Sequence, residues 1–91
     1  MFLVHCKDKP NATQLRADNR PAHLEYLKGH LDKITIGGPV MSEDRTQMVG
    51  SAFIFNTTDK AEVDQFLAGD PYGKAGLFES VTILPFRKTV P

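Results

Sequence analysis

The order of the predicted elements is the feature that most constrains the fold of this 91-residue chain. Four short apolar segments have the composition of strands: residues 1–7, 34–36, 49–56 and 77–86. Two segments between them have apolar side chains at helical spacing: residues 13–31 and 58–69. The order β-α-β-β-α-β in one domain, residues 1–91, predicts an α+β, ferredoxin-like fold with a four-stranded antiparallel sheet and both helices on one face.

Proline and glycine affect two of these predicted elements. Pro21 lies inside the first helix and cannot donate a hydrogen bond to the preceding turn, so we expect a kink there or a new helix start capped by Asp18 or Asn19. Gly37-Gly38-Pro39 is expected to close the short second strand as a tight turn, and an anion-binding nest of backbone amides is the alternative. The polar segment 41–48 is expected to be a loop.

The second predicted helix has recognisable ends. Asp59 is expected to cap its start, with Glu62 placed for a capping box, and Gly69 is expected to end it. Val63, Phe66 and Leu67 form its predicted buried stripe.

The charge balance excludes several classes of protein. Eleven Lys and Arg residues match eleven Asp and Glu residues, which argues against a partner that is nucleic acid or an anionic membrane.

The N-terminal apolar run, residues 1–6, is short and has no basic residues before it, so it is neither a signal peptide nor a membrane span. Cys6 is the one cysteine, which excludes an intrachain disulfide and fits a reducing, cytoplasmic location.

The strand segments are apolar on both of their predicted faces. One face of the sheet is covered by the helices, so another partner must cover the opposite face. A second copy of the chain, packed sheet against sheet, is the simplest partner, and we therefore expect a homodimer.

His23 and Asp70 are the residues best suited to acid–base chemistry. An imidazole titrates near neutrality, and a carboxylate beside it would orient the ring, provided that the fold brings these distant positions together. Each residue also has an ordinary interpretation. His23 is then a helix residue that fills space, and Asp70, which precedes Pro71, caps a short helix.

A metal site is not expected. His23 and His30 lie two helical turns apart, about 10 Å, which is too far to share one ion. The chain has no His-x-x-x-His or Cys-x-x-Cys spacing and no glycine-rich nucleotide motif. We therefore expect no metal and no cofactor.

An ordered set of motifs resembles the YciI-like (YCII-related) family of small dimeric α/β-barrel proteins. The segments that resemble it are Arg20-Pro21-Ala22-His23-Leu24, Gly37-Gly38-Pro39, Gly50-Ser51, Asp70-Pro71-Tyr72, Ala75-Gly76-Leu77-Phe78 and Pro85-Phe86. The resemblance implies a dimeric α/β barrel and a His–Asp dyad, which it assigns to His23 and Asp70. Its relatives include a dehydrochlorinase of a chlorinated hydroxyquinol, and the wider superfamily includes muconolactone isomerase and small monooxygenases. Residues 41–48 form a shorter loop than in many relatives, which affects the shape of the pocket.

Three further residues are candidates for substrate binding. Arg20 is suited to grip an anionic or phenolic oxygen, with a surface salt bridge as the alternative. Ser51 and Tyr72 are placed to donate hydrogen bonds to a developing oxyanion. The alternatives are that Ser51 satisfies a strand end and that Tyr72 packs its ring in the core.

Together these features predict a small, cofactor-free homodimeric enzyme that binds a small molecule. His23 would act as general base or acid, oriented by Asp70, on a cyclic or aromatic oxygenated metabolite. Lyase or isomerase chemistry follows by analogy with the family. The alternatives are a non-catalytic module that binds a small ligand or a partner, and a purely structural dimer.

Overall fold

A computed structural model describes residues 1–91 and contains four strands and three α-helices. Their bounds are β1 Phe2–Asp8, α1 Thr13–Lys28, β2 Ile34–Met41, β3 Met48–Phe55, α2 Lys60–Gly69, α3 Pro71–Lys74 and β4 Phe78–Pro85. A 3-10 turn, Leu31–Lys33, precedes β2. The predicted order is confirmed, with the four-residue helix α3 added before the last strand.

The four strands form one antiparallel sheet in the order β2-β3-β1-β4. In the centre, Val4 of β1 pairs with Phe53 of β3 on one side and with Ile83 of β4 on the other. Pro85 ends β4, which is an edge strand, as a proline in a sheet requires. This topology confirms the ferredoxin-like α+β fold.

The core lies between the sheet and the helices. Alternate residues of the two central strands, Phe2, Val4, Cys6, Phe53 and Phe55, are buried against Val63 and Phe66 of α2. Tyr26 and Leu27 of α1 pack on the same cluster, so both long helices cover one face of the sheet.

Helix α1 is continuous through Pro21, so the expected new helix start at Asp18 or Asn19 is wrong. A proline removes one backbone hydrogen bond, and the buried residues Arg16 and His23 anchor the helix on either side of it. The helix also ends at Lys28 rather than at residue 31, because the next two amides bond three residues back and tighten the chain.

The segment Gly37-Gly38-Pro39 lies inside β2 and is neither a tight turn nor a nest. Gly37 faces Phe53, and a Cβ at Gly37 would lie 2.6 Å from the Phe53 ring. The glycine therefore makes room for an aromatic side chain. Pro39 is tolerated because β2 is an edge strand. The hairpin loop that follows is reduced to residues 42–47.

Helix α2 begins and ends where the sequence predicts, but its cap differs from the expected box. The Asp59 carboxylate accepts a hydrogen bond from the Ala61 amide, at 2.9 Å. The Asp59 amide donates to the hydroxyl of Thr57, which in turn donates to Glu62, so Thr57 links the two residues of the box.

No helix of the structure has the length and apolar character needed to cross a membrane.

The opposite face of the sheet has a row of apolar side chains across all four strands. The strand register places them side by side, in the order Ile36, Ile54, Leu3 and Leu84. The two at the sheet edges are 67% exposed (Ile36) and 51% exposed (Leu84). We call these four residues the apolar row.

Candidate active site

His23 and Asp70 lie in direct contact although 47 positions separate them. His23 Nδ1 is 2.7 Å from Asp70 Oδ1, and both side chains are buried. His23 projects from the middle of α1, and Asp70 occupies the junction between α2 and α3. The expected proximity of the two residues is therefore observed.

Asp70 also caps α3, as its position before Pro71 predicts. The Tyr72 amide donates to Asp70 Oδ1 at 3.0 Å, so one oxygen accepts both the amide and the imidazole. The other oxygen, Oδ2, is buried with no hydrogen-bond partner within the chain.

The bond to Asp70 assigns the proton on the imidazole. A carboxylate can only accept, so in neutral His23 the proton lies on Nδ1 and Nε2 has a free lone pair. Nε2 is the ring nitrogen that remains for a ligand, because Asp70 occupies the other one. This is the arrangement that a general base requires.

The Tyr72 ring lies between His23 and Arg16. The imidazole stacks on the phenol ring at 3.9 Å between centroids and 16° between planes. The Arg16 guanidinium lies over the same ring, 4.5 Å from its centroid. Two groups this close to one centroid cannot share a face, so they occupy opposite faces of the ring.

Arg16 is itself held by a buried network that the sequence analysis missed. Its Nε and Nη2 donate to the two carboxylate oxygens of Asp8, at 2.7 and 3.0 Å, and Nη2 also donates to Ser51 Oγ at 2.8 Å. Two sequence signals were available. Asp8 continues the inward-facing alternation of β1, and Arg16 lies seven residues before His23, on the same helix face.

Burial and neighbouring charges change three pKa values around the site. Burial alone would lower the pKa of Arg16, but the bonds to Asp8 outweigh it and the pKa is raised. Burial raises the pKa of the Tyr72 phenol, although Arg16 and Arg20 oppose the change. Burial, with the charge of Asp70, raises the pKa of Cys6 to about 12, so this thiol stays neutral.

A pocket of about 420 Å³ adjoins the imidazole, between α1 and strands β2 and β3. Its polar wall consists of Arg16, Arg20, His23, Ser51 and Tyr72, and the rest is mostly apolar, with no carboxylate. The leucine face of α1, which includes Leu24 and Leu27, lines this pocket. Three larger depressions, of about 590, 670 and 510 Å³, contain neither member of the His–Asp pair.

The structure brings all five predicted site residues to this region. His23, Arg20, Ser51 and Tyr72 line the pocket, and Asp70 lies behind His23, away from the pocket wall. Arg20 is exposed and forms no ion pair. Ser51 is 2% exposed and already accepts a bond from Arg16, which leaves its own hydroxyl proton to donate.

Known proteins are similar to this chain in sequence, and a solved structure is also similar to it in fold. A solved structure, the 5-chloro-2-hydroxyhydroquinone dehydrochlorinase TftG from Burkholderia phenoliruptrix AC1100 in complex with 2,5-dihydroxybenzoquinone, is 37% identical. It superposes with a TM-score of 0.88 over 97% of this chain and 94% of that one. Protein YciI of Escherichia coli O6:H1 is 30% identical, with 97% of each chain covered.

A fungal relative is the derivative of benzaldehyde biosynthesis cluster protein C of Emericella nidulans, 29% identical over 82% of this chain and 85% of that protein. The family model of the YCII-related domain matches residues 1–87. The chain therefore belongs to the YCII-related family.

Proposed function

We propose that this protein is a small enzyme that uses His23 as general base or acid, oriented by Asp70, without a cofactor. The observation that carries the proposal is the 2.7 Å contact between His23 Nδ1 and Asp70 Oδ1 beside a pocket of about 420 Å³. In this arrangement Asp70 holds the imidazole in one tautomer and stabilises its charged form after proton transfer.

The substrate is a small cyclic or aromatic compound that carries oxygen substituents. The dehydrochlorinase relative acts on a chlorinated hydroxyhydroquinone, which supports this class. Leu24, Leu27 and Phe53 offer apolar contact to the faces of a ring. Arg20 would bind an ionised oxygen, and the Ser51 hydroxyl would donate to a second oxygen.

The reaction begins with removal of a proton from a ring hydroxyl by His23 Nε2. The O–H electron pair becomes a carbonyl bond, and the displaced double-bond electrons move along the ring. They take up a proton at a ring carbon, which is isomerisation. Where that carbon carries chlorine, it is now saturated and elimination can follow: a second ring hydroxyl loses its proton, its electron pair becomes a second carbonyl bond, and the displaced double-bond electrons expel chloride. The imidazolium returns its proton to solvent or to the product.

The test is chloride release from 5-chloro-2-hydroxyhydroquinone, together with a panel of other hydroxylated rings and lactones. We expect His23→Gln to lower kcat by about 10²-fold or more, as the loss of a general base does. The matched control is His30→Gln. His30 lies outside the pocket, where its ring packs on Tyr26, so kcat should change little.

The alternative is a module that binds a ring compound without turning it over. Wild-type protein that binds 2,5-dihydroxybenzoquinone but transforms no compound of the panel would favour this alternative. Equal turnover by wild type and His23→Gln would reject the acid–base role itself.

The homodimer is also part of this proposal. The apolar row leaves large side chains exposed on the face opposite the helices, and a second copy packed on that face would cover them. A cytoplasmic location likewise stays a proposal, and the free, buried thiol of Cys6 supports it.

A further inference from the structure

We propose that Arg16 is a positioning residue that fixes the imidazole of His23 through the ring of Tyr72. Its effect on catalysis rests on the proposed function, whereas its effect on the orientation of His23 does not. Three contacts connect Arg16 to the imidazole: Asp8 with Arg16, Arg16 with Tyr72, and Tyr72 with both members of the His–Asp pair.

The first contact immobilises the guanidinium. Arg16 is 4% exposed, and its two-point bond to Asp8 together with the bond to Ser51 fixes both the position and the plane of the group. Nε and Nη2 make all three of these bonds, which leaves the two N–H groups of Nη1 outside them. The bonds to Asp8 and Ser51 hold the guanidinium in one place over the Tyr72 ring.

The second contact immobilises the Tyr72 ring. With Arg16 on one face and His23 on the other, the phenol ring has no room to tilt. The planar guanidinium suits this stacking, which the compact ammonium of a lysine does not reproduce.

The third contact joins Tyr72 to both members of the pair. Its ring sets the plane of the His23 imidazole, while its backbone amide bonds the Asp70 oxygen that accepts from His23. The hydrogen bond to Asp70 fixes Nδ1, and the covalent bond to Cβ fixes the other end of the ring, which leaves the imidazole free to tilt about the line between them. The stack removes that freedom, so Nε2 keeps one direction toward the pocket.

The experiment is NMR of the histidine side chains in ¹⁵N-histidine-labelled protein. We expect wild type to give one His23 tautomer, with a sharp Nδ1–H signal. Arg16→Lys keeps the charge but loses the planar face, so the Nδ1–H signal should broaden and the ring ¹⁵N shifts should move toward the average of two tautomers. Tyr72→Phe is the matched control, because it keeps the ring and should keep the wild-type pattern.

His30 is an internal reference, since its ring stacks on Tyr26 outside this network and should not change in any variant. If Arg16→Lys does not fold, the double variant Asp8→Asn, Arg16→Gln removes both buried charges and carries the same expectation. A folded Arg16 variant with the wild-type His23 spectrum overturns the proposal.

Turnover separates this proposal from the proposed function. If both hold, Arg16→Lys lowers kcat about tenfold or more and leaves KM within about twofold, because misplacing a reacting group affects the chemical step. If Arg16→Lys disorders His23 but the wild-type protein turns over no compound, the enzyme is rejected and the positioning role of Arg16 is kept. A weaker affinity for 2,5-dihydroxybenzoquinone with an unchanged His23 spectrum assigns Arg16 to ligand binding and overturns the proposal.

Discussion

Asp70 has a structural and a chemical role at a single atom. Oδ1 accepts both the Tyr72 amide at the start of α3 and the His23 imidazole. Substitutions at this position can separate the roles, because an amide oxygen also caps a helix but has no negative charge.

We expect Asp70→Asn to change the free energy of unfolding by less than about 1 kcal/mol, since Asn caps nearly as well as Asp. Its turnover should fall by about 10²-fold or more, because the charge that stabilises the imidazolium is gone. Asp70→Ala should lower the free energy of unfolding by about 2 kcal/mol or more, because the Tyr72 amide and His23 Nδ1 both lose their acceptor. Urea unfolding and the chloride-release assay measure the two effects. Normal turnover by Asp70→Asn would leave Asp70 as a cap alone.

The sequence could predict the His–Asp pair but not the network behind it. Imidazole and carboxylate are recognisable from their chemistry and from the family motifs. Charged residues are seldom buried, so Asp8 and Arg16 are expected at the surface unless a partner is already known. That partner is on another element, and only the packing of α1 on the sheet brings the two together.

At the scale of elements, the helices and strands whose bounds were predicted correctly depend on interactions between residues close together in sequence. Alternation in β3 and the Asp59 and Gly69 signals of α2 predicted the bounds of these two elements within two residues. The extension of β2 through Gly37 depends instead on pairing with β3 and on the Phe53 ring. Such contacts join distant parts of the chain, and no local pattern encodes them.

The neighbouring glycines of β2 give a matched test of this explanation. A Cβ on Gly37 would meet the Phe53 ring at 2.6 Å, whereas a Cβ on Gly38 would have no atom within 4 Å. We therefore expect Gly37→Ala to lower the free energy of unfolding by about 1–3 kcal/mol, as overpacking does. Gly38→Ala should be neutral or slightly stabilising, because the unfolded chain loses freedom. Urea unfolding of both variants measures these changes. Equal changes in the free energy of unfolding would show that the contact with Phe53 does not explain the glycine at position 37.

Strands β2 and β3 also line the pocket, so a change in the packing of β2 on β3 should alter the shape of the pocket. Gly37 and Phe53 both line the pocket, next to the leucines of α1. A ring displaced by Gly37→Ala would narrow the space for a ligand without touching His23 or Asp70. The identity of the small residues in β2 therefore contributes to the shape of the site.

At the scale of the whole molecule, the two faces of the sheet have different tasks. One face, with the helices, builds the core and most of the site; Ile36 of the apolar row, at the β2 edge, also borders the pocket. The other has the apolar row, whose members at the two edges are largely exposed. All of the site contacts described above lie within one chain, so the second copy is expected to stabilise the sheet without completing the His–Asp pair.

This separation predicts how charged substitutions in the apolar row will behave. Wild-type protein should sediment as a dimer at micromolar concentration, and Ile36→Lys with Leu84→Lys should sediment as a monomer, because like charges and lost apolar contact oppose sheet-to-sheet packing. Leu15→Lys is the matched control: Leu15 is a partly exposed apolar residue of α1, on the helical side, and the variant should remain a dimer. A monomeric wild type, or a charged double variant that remains dimeric, would contradict the proposed interface. The monomeric variant should keep the sharp His23 Nδ1–H signal, since Arg16, Tyr72 and Asp70 come from the same chain as His23.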